Sequence, residues 1–271
     1  MSIPNYTLHD GLKVPAVGFG TDKLKGAKGL LAIKQALNNG YRFLDTAYSY
    51  ENEATVGKAV RESGLSRQDI LISSKLPAEY HAYDLAIPAI QESLYRANLD
   101  YYDLYIIHWP DPDQGKYVEA WQALIDAQKF GLVRSIGVSN FHPKHLDRLE
   151  KETGVVPVLN QIQTHPYYVQ EKLIKGNEKH AILTQSWSPL GQRMADDLLE
   201  NEKIKEIGNN YGKSIGQVIL RWHVQLGFMP IPRSSSPIRQ KDNISIFDFE
   251  LTDDEMNFLS SLSKSDGDIF G

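Results

Sequence analysis

Cysteine is absent from all 271 residues, so disulfide staples, thiolate metal sites and cysteine nucleophiles are excluded together. No apolar run approaches the roughly 18 residues that a membrane-spanning helix needs. The first residues, Met1-Ser2-Ile3-Pro4-Asn5, have neither the charged stretch nor the apolar stretch of a secretion leader. Basic runs and an acidic tail are also missing, and the net charge is only −5, so neither nucleic acid nor a membrane surface is expected as a partner. No Pro/Gly/Ser-rich tract interrupts the chain, so residues 1–271 are expected to form a single domain. A cytoplasmic, soluble monomer that acts on a small molecule and has no metal site is the expectation. What is present suits it: 41% hydrophobic and 10% aromatic residues are enough for a sizeable core.

The order of elements is regular. Residues 6–15 suit a hairpin, because Asp10-Gly11 supplies turn residues that tolerate positive φ. Short β-leaning runs follow at 16–21, 42–45, 70–75, 104–108, 135–139, 158–162, 182–187 and 228–232. Helical spacing fills the intervals at 30–37, 52–63, 84–99, 117–130, 142–153 and 170–180, with two more helices at 195–211 and 214–226. A last helix spans 253–262, ahead of a short tail at 263–271. Eight βα units in one chain of this length predict an α/β fold, a (β/α)8 TIM barrel. The hairpin would plug its N-terminal end, and extra helices would follow at the C-terminus.

Barrels of this kind build their sites at the C-terminal ends of the strands. The residues at those ends are polar almost throughout: Asp45, Lys75, His108, Ser139-Asn140, Gln161, Trp187, then Arg233 and Ser234. Each alone has a plain structural explanation. Asp45 suits a helix cap or turn, Lys75 a solvated strand end, His108 a hydrogen-bonded core position, and Asn140 and Gln161 satisfied backbone groups. Polar groups at one rim of nearly every strand are hard to attribute to packing.

The side chains suggest proton transfer. Tyr50 follows Asp45 by five residues, on the loop after the second strand. A phenol titrates near pH 10, too high for easy proton donation, but an ammonium within roughly 4–6 Å lowers that value. Lys75 is the available ammonium, Asp45 would keep it charged and oriented, and His108 would hydrogen-bond a substrate oxygen. The product is a proton donor aimed at a carbonyl oxygen. The chain itself holds no reductant, so a bound hydride carrier is the natural complement.

These residues fall into ordered motifs: Gly18-Phe19-Gly20-Thr21, Leu44-Asp45-Thr46-Ala47, Tyr50-Glu51-Asn52-Glu53, Lys75, Ile107-His108-Trp109-Pro110, Gly137-Val138-Ser139-Asn140, Asn160-Gln161, Ser188-Pro189-Leu190 and Pro232-Arg233-Ser234. With them the chain resembles the aldo-keto reductases over nearly its whole length, closest to bacterial members that reduce small ketones such as 2,5-diketogluconate. The resemblance implies a catalytic tetrad of Tyr50 (the general acid), Asp45, Lys75 and His108. It implies that Ser139, Asn140 and Gln161 hold the nicotinamide carboxamide, with Trp187 stacked on the ring, and that Gly20, Thr21 and Asp45 also bind the cofactor. Ser188, Leu190 and Gln192 would follow the pyrophosphate, and Arg233, Ser234, Arg239 and Asn243 the adenosine end. Two arginines suit a 2′-phosphate, so NADPH is expected and NADH less so. Asp22, Tyr48, Trp109 and His108 would line the substrate pocket. Asp22 departs from the aromatic residue that relatives often carry there. A carboxylate at that place would disfavour anionic substrates, or else point to solvent. Leu76-Pro77-Ala78-Glu79 also departs from the common Leu-Trp-Asn.

Two other functions compete. A nicotinamide sensor on the same fold would need the cofactor residues without the tetrad. A Schiff-base lyase would need Lys75 as a neutral nucleophile, which Asp45 opposes.

Overall fold

Strands buried on both faces make up the centre of the protein. The computed structural model describes residues 3–268, so the outermost residues of the expected domain and tail, 1–2 and 269–271, lie outside the described residues. Two short strands come first, β1 (Asn5–Thr7) and β2 (Lys13–Pro15), paired antiparallel. Eight parallel strands then follow in sequence order: β3 (Phe19–Gly20), β4 (Phe43–Asp45), β5 (Leu71–Leu76), β6 (Tyr102–Ile107), β7 (Val133–Ser139), β8 (Leu159–Gln163), β9 (Leu183–Trp187) and β10 (Met229–Pro230). Each pairs with the next, and all six residues of β6 are buried, as expected of a stave covered outside by helices and inside by its neighbours. The Gly18 N–H donates to the Pro230 carbonyl at 3.0 Å and the Gly20 N–H to that of Pro232 at 3.3 Å, which joins the first stave to the last. The sequence expectation of a (β/α)8 barrel is met.

Helices α1 (Gly26–Asn38), α2 (Glu53–Arg61), α3 (Tyr83–Ala97), α4 (Tyr117–Lys129), α5 (Pro143–Thr153) and α6 (Glu171–Lys179) each follow one strand from β3 to β8. Three helices, α7 (Ala195–Leu199), α8 (Glu202–Tyr211) and α9 (Ile215–Gln225), separate β9 from β10, where two were expected. The side-chain oxygen of Asn201 accepts from the N–H groups of Lys203 and Ile204, so a new helix starts there and breaks the expected 195–211 segment. After β10 come α10 (Pro237–Ile244), which the helical spacing did not announce, and α11 (Asp253–Ser261).

The barrel interior is filled by Phe43, Leu104, Ile106, Leu159 and Met229, joined from below by Leu8 and Val14 of the hairpin. Ser135 Oγ donates to Asp10 at 2.5 Å, and Tyr6 Oη to the carbonyls of Val224 and Phe228 at 3.2 Å each, which fixes the hairpin across the N-terminal opening. The opposite rim is left open. The first and last staves are shorter than expected, since Pro230 and Pro232 have no N–H to give a ladder.

Candidate active site

Asp45 ends β4 and Lys75 lies one residue before the end of β5, so both side chains enter the barrel at its open rim, where both are buried. A buried ammonium needs partners. Lys75 Nζ donates to Asp45 Oδ2 at 2.6 Å and to the Thr46 carbonyl at 2.8 Å, and it lies 3.4 Å from Tyr50 Oη. The other Asp45 oxygen accepts from Ser73 Oγ at 2.9 Å and from Gln161 Nε2 at 2.8 Å. The carboxylate is therefore filled on both sides and oriented by three side chains from β5 and β8.

Tyr50 sits at the end of a single 3₁₀ turn, Tyr48–Tyr50, that Glu51 closes in the left-handed region at φ 52°. Asn52 anchors this turn. Its side chain accepts from Thr46 Oγ1 at 2.6 Å and donates to the carbonyls of Thr21 at 2.7 Å and Leu24 at 3.1 Å. Glu53, the first residue of α2, is buried behind β5 and accepts from Ser74 Oγ at 2.6 Å, from Ser93 Oγ, and from Tyr102 Oη at 3.1 Å. The Tyr50 turn is thus tied to the strand that carries Lys75. The roles of Thr46, Ser73, Asn52 and Glu53 as supports were not foreseen. Asn52 and Glu53 had a signal, since two polar residues at the start of an otherwise apolar helix face need partners. The Thr46 carbonyl had none.

His108 follows β6 directly, with its N–H on the Leu76 carbonyl at 3.0 Å and its ring edge-on to Tyr50 at 5.9 Å between centroids. Burial and the Lys75 charge push it down to about 3, so the ring is neutral throughout the physiological range. Burial acts on Lys75 in the same direction, but Asp45 and Tyr50 outweigh it, and the ammonium is held above its ordinary value. For Tyr50 the outcome differs from the sequence expectation. Burial raises the phenol, Lys75 lowers it, Asp45 and Asp22 raise it further, and the net direction is upward. Lysine proximity alone was too simple a basis, because it left out the loss of water around the phenol.

Along the rim from β7 to β9 the polar residues interlock. Ser139 Oγ donates to the Gln161 carbonyl at 2.8 Å. Asn140, held at φ 62°, donates from Nδ2 to Ser139 Oγ at 2.9 Å and to the His108 carbonyl at 3.2 Å, and accepts from Trp187 Nε1 at 2.9 Å. A cleft of about 330 Å³ opens above these residues, lined by Gly20, Asp22, Asp45, Tyr50, Trp109, Trp187, Ser188, Pro189, Leu190, Gln192, Ile231, Pro232 and Arg233. Gly20 must stay bare there, because a Cβ would stand 2.8 Å from the Ile231 carbonyl oxygen. Thr21 is buried just behind, its Oγ1 donating to the Asp45 carbonyl at 2.8 Å. Ser188 Oγ donates to Gln192 at 2.9 Å across the mouth.

Arg233 and Arg239 are exposed, Ser234 is half-buried and Asn243 is buried. Ser234 and Ser236 lead into α10, where Ser236 caps the helix by accepting from the Arg239 N–H. A helix start flanked by two guanidiniums suits a phosphate. The rim thus offers polar side chains at Ser139, Asn140 and Gln161, an aromatic face at Trp187 and guanidiniums at Arg233 and Arg239; of these, Trp187 and Arg233 line the cleft, and Ser139, Asn140, Gln161 and Arg239 are not among its lining residues. Of the expected substrate-pocket residues, Asp22 and Trp109 line the cleft and His108 adjoins Tyr50. Tyr48 is not among the cleft-lining residues; its ring lies 5.2 Å from that of Tyr80 and under the Arg96 guanidinium at 4.0 Å. A wider depression of about 740 Å³ lies at the opposite end of the barrel, beside Lys13, Arg42 and Leu71, and none of the strand-end residues reaches it.

Comparison with known proteins shows what the chain as a whole is similar to. The sequence profile described as the Aldo/keto reductase family matches residues 16–264. The chain is 45% identical to 2,5-diketo-D-gluconic acid reductase B of Corynebacterium sp. (strain SHS752001) over 270 residues, 98% of this chain and 97% of that protein. It is 42% identical to methylglyoxal reductase DkgA of Salmonella typhimurium over 271 residues, 97% of each chain. Among solved structures, an aspartate-to-alanine mutant of Gox0644 in complex with NADPH superposes with a TM-score of 0.93 at 38% identity, covering 99% of this chain and 97% of that one.

Proposed function

The chain belongs to the aldo/keto reductase family and is an NAD(P)H-dependent oxidoreductase; we propose that it uses NADPH to reduce a small aldehyde or ketone, with Tyr50 delivering the proton. One observation carries this reading: Lys75 Nζ stands between Asp45 Oδ2 at 2.6 Å and Tyr50 Oη at 3.4 Å, at the base of an open cleft. The lysine keeps its charge, so it supports the phenolate that remains once the proton has left. A charged lysine also disfavours the Schiff-base route, which needs a free amine. His108, neutral, orients the carbonyl oxygen toward Tyr50 by hydrogen bonding and competes poorly as a proton source. When bound, the nicotinamide supplies the hydride. Ser139, Asn140 and Gln161 would hold its carboxamide, and Trp187 would cover one face. Arg233 and Arg239 favour a 2′-phosphate and hence NADPH over NADH. The complex of Gox0644 with NADPH supports that preference by analogy. The same reading takes the chain as one barrel domain. A sensor without turnover is disfavoured, because cofactor binding alone does not need the buried Lys75–Asp45 pair.

The test is Tyr50→Phe against a panel of aldehydes and ketones, with NADPH and NADH side by side. Turnover is expected to fall by about 10²–10⁴-fold, the usual contribution of a positioned acid, while NADPH affinity read by cofactor fluorescence stays within about twofold. A mutant with wild-type turnover would remove Tyr50 from the mechanism.

A further inference from the structure

Asp22 brings a negative charge into the cleft that the proposed reduction does not use. It follows Gly20-Thr21 at the end of the first stave and lines the same cleft as Tyr50 and Trp109. The cleft's other carboxylate, Asp45, is neutralised by Lys75 at 2.6 Å. Asp22 has no ion pair or hydrogen bond from its side chain among the described residues. Its charge nonetheless reaches the reacting group, since it is one of the groups that raise the Tyr50 phenol. Asp22 is half-buried and borders the cleft that also holds the phenol. Trp109 is also exposed on the cleft wall, and an indole face attracts cations and offers nothing to a carboxylate. The remaining charged side chain of the lining, Arg233, is the one read above as a phosphate ligand.

We propose that Asp22 selects substrates by charge, so that the cleft accepts uncharged or amino-bearing aldehydes and ketones and rejects keto acids. The inference rests on the reductase reading for its chemistry and on Asp22 alone for its selectivity. It separates this chain from the relative whose name specifies a gluconic acid. Unit charges about 8 Å apart in a partly wet cleft shift binding by about fivefold. Cation and anion move in opposite directions, so their ratio is expected to differ by about twentyfold.

Two readouts test it. The first is binding of benzoate and of phenyltrimethylammonium, followed by tryptophan fluorescence with and without NADP⁺. The second is kcat/KM for para-formylbenzoate, para-formylbenzamide and para-formylphenyl-trimethylammonium, with the amide as the uncharged reference. The wild type is expected to prefer the ammonium in both. Asp22→Asn should collapse the ammonium-to-carboxylate ratio by about twentyfold, and Asp22→Glu should retain it. High salt should compress the wild-type ratio. A wild type indifferent to charge, or a ratio unchanged in Asp22→Asn, would overturn the inference. Charge-selective binding without turnover of any of the three aldehydes would instead overturn the reductase reading and leave the selection by Asp22 standing.

Discussion

Lys75 holds a full charge inside the barrel because three oxygens surround it, those of Asp45, the Thr46 carbonyl and Tyr50. Two of the three were legible in the sequence, because Asp45 and Lys75 fall at equivalent ends of neighbouring staves and Tyr50 lies on the loop between them. The Thr46 carbonyl was not legible, since every residue has one and only the fold selects which is used. The same limit explains the misjudged direction for Tyr50: charge partners can be guessed from strand order, but the depth of burial that outweighs them cannot. His108 leads to a prediction at this scale. Its ring is pushed down to about 3, so it stays neutral through the range where an ordinary histidine, near 6.5, would take up a proton. Reduction measured as kcat/KM is therefore expected to vary less than about twofold between roughly pH 6 and 8, where neither histidine nor phenol titrates. An acid limb with a midpoint near 6.5 that disappears in His108→Gln would show that the imidazolium matters and that the neutral role is wrong.

Helix α2 sets the position of the Tyr50 turn, and its packing leaves no slack. A Cβ on Gly57 would stand only 1.7 Å from the Ala97 carbonyl oxygen at the end of α3, where Arg61 Nη1 also donates at 2.9 Å. Gly57→Ala must push the two helices apart. Overpacking of this kind costs about 1–3 kcal/mol or more, and urea unfolding should show a lower midpoint with an unchanged slope. Because Glu53 at the head of α2 is bonded to Ser74, beside Lys75, kcat should fall as well. A midpoint equal to that of the wild type would mean that the helices can separate freely. Helix boundaries were less legible than strand ends. Helix α10 was missed although Ser236-Pro237 is a recognisable start, because its eight residues carry few apolar positions and no clear period. The break between α7 and α8 was hidden in the opposite way, since apolar residues continue on both sides of Asn201 and only its capping amide marks the gap.

The barrel as a whole buries histidines as neutral rings, and its acid tolerance follows from them. His165 is fully buried, pairs through Nε2 with the Gln163 amide at 3.0 Å, and is pushed down to about 4 by burial and then by His223. Between about 4 and the ordinary value near 6.5, the unfolded chain binds a proton there that the folded chain refuses. The contribution is complete above about 6.5 and is lost as the pH falls, by up to about 1.4 kcal/mol per unit. Urea unfolding of His165→Gln at pH 7.5 and at pH 5 should therefore show a smaller acid loss than the wild type; equal losses would place the titration elsewhere. At this scale the fold was the most legible feature of the sequence, because eight repeats of one period leave little choice of architecture, and closure by Gly18 and Gly20 follows from that count. The proposed proton chemistry comes from residues 45–108 and the proposed cofactor grip almost wholly from residues 139–243. Side-chain hydrogen bonds from Gln161 to Asp45 at 2.8 Å and from Asn140 to the His108 carbonyl at 3.2 Å link the two sets. The two halves are nevertheless one barrel, since the β6–β7 ladder and the Gly18 and Gly20 bonds to Pro230 and Pro232 join them as well. A genetic crossover within α4 would therefore have to preserve both of those seams, and the amides at 140 and 161, for the proposed acid and the proposed cofactor grip to come from different ancestors.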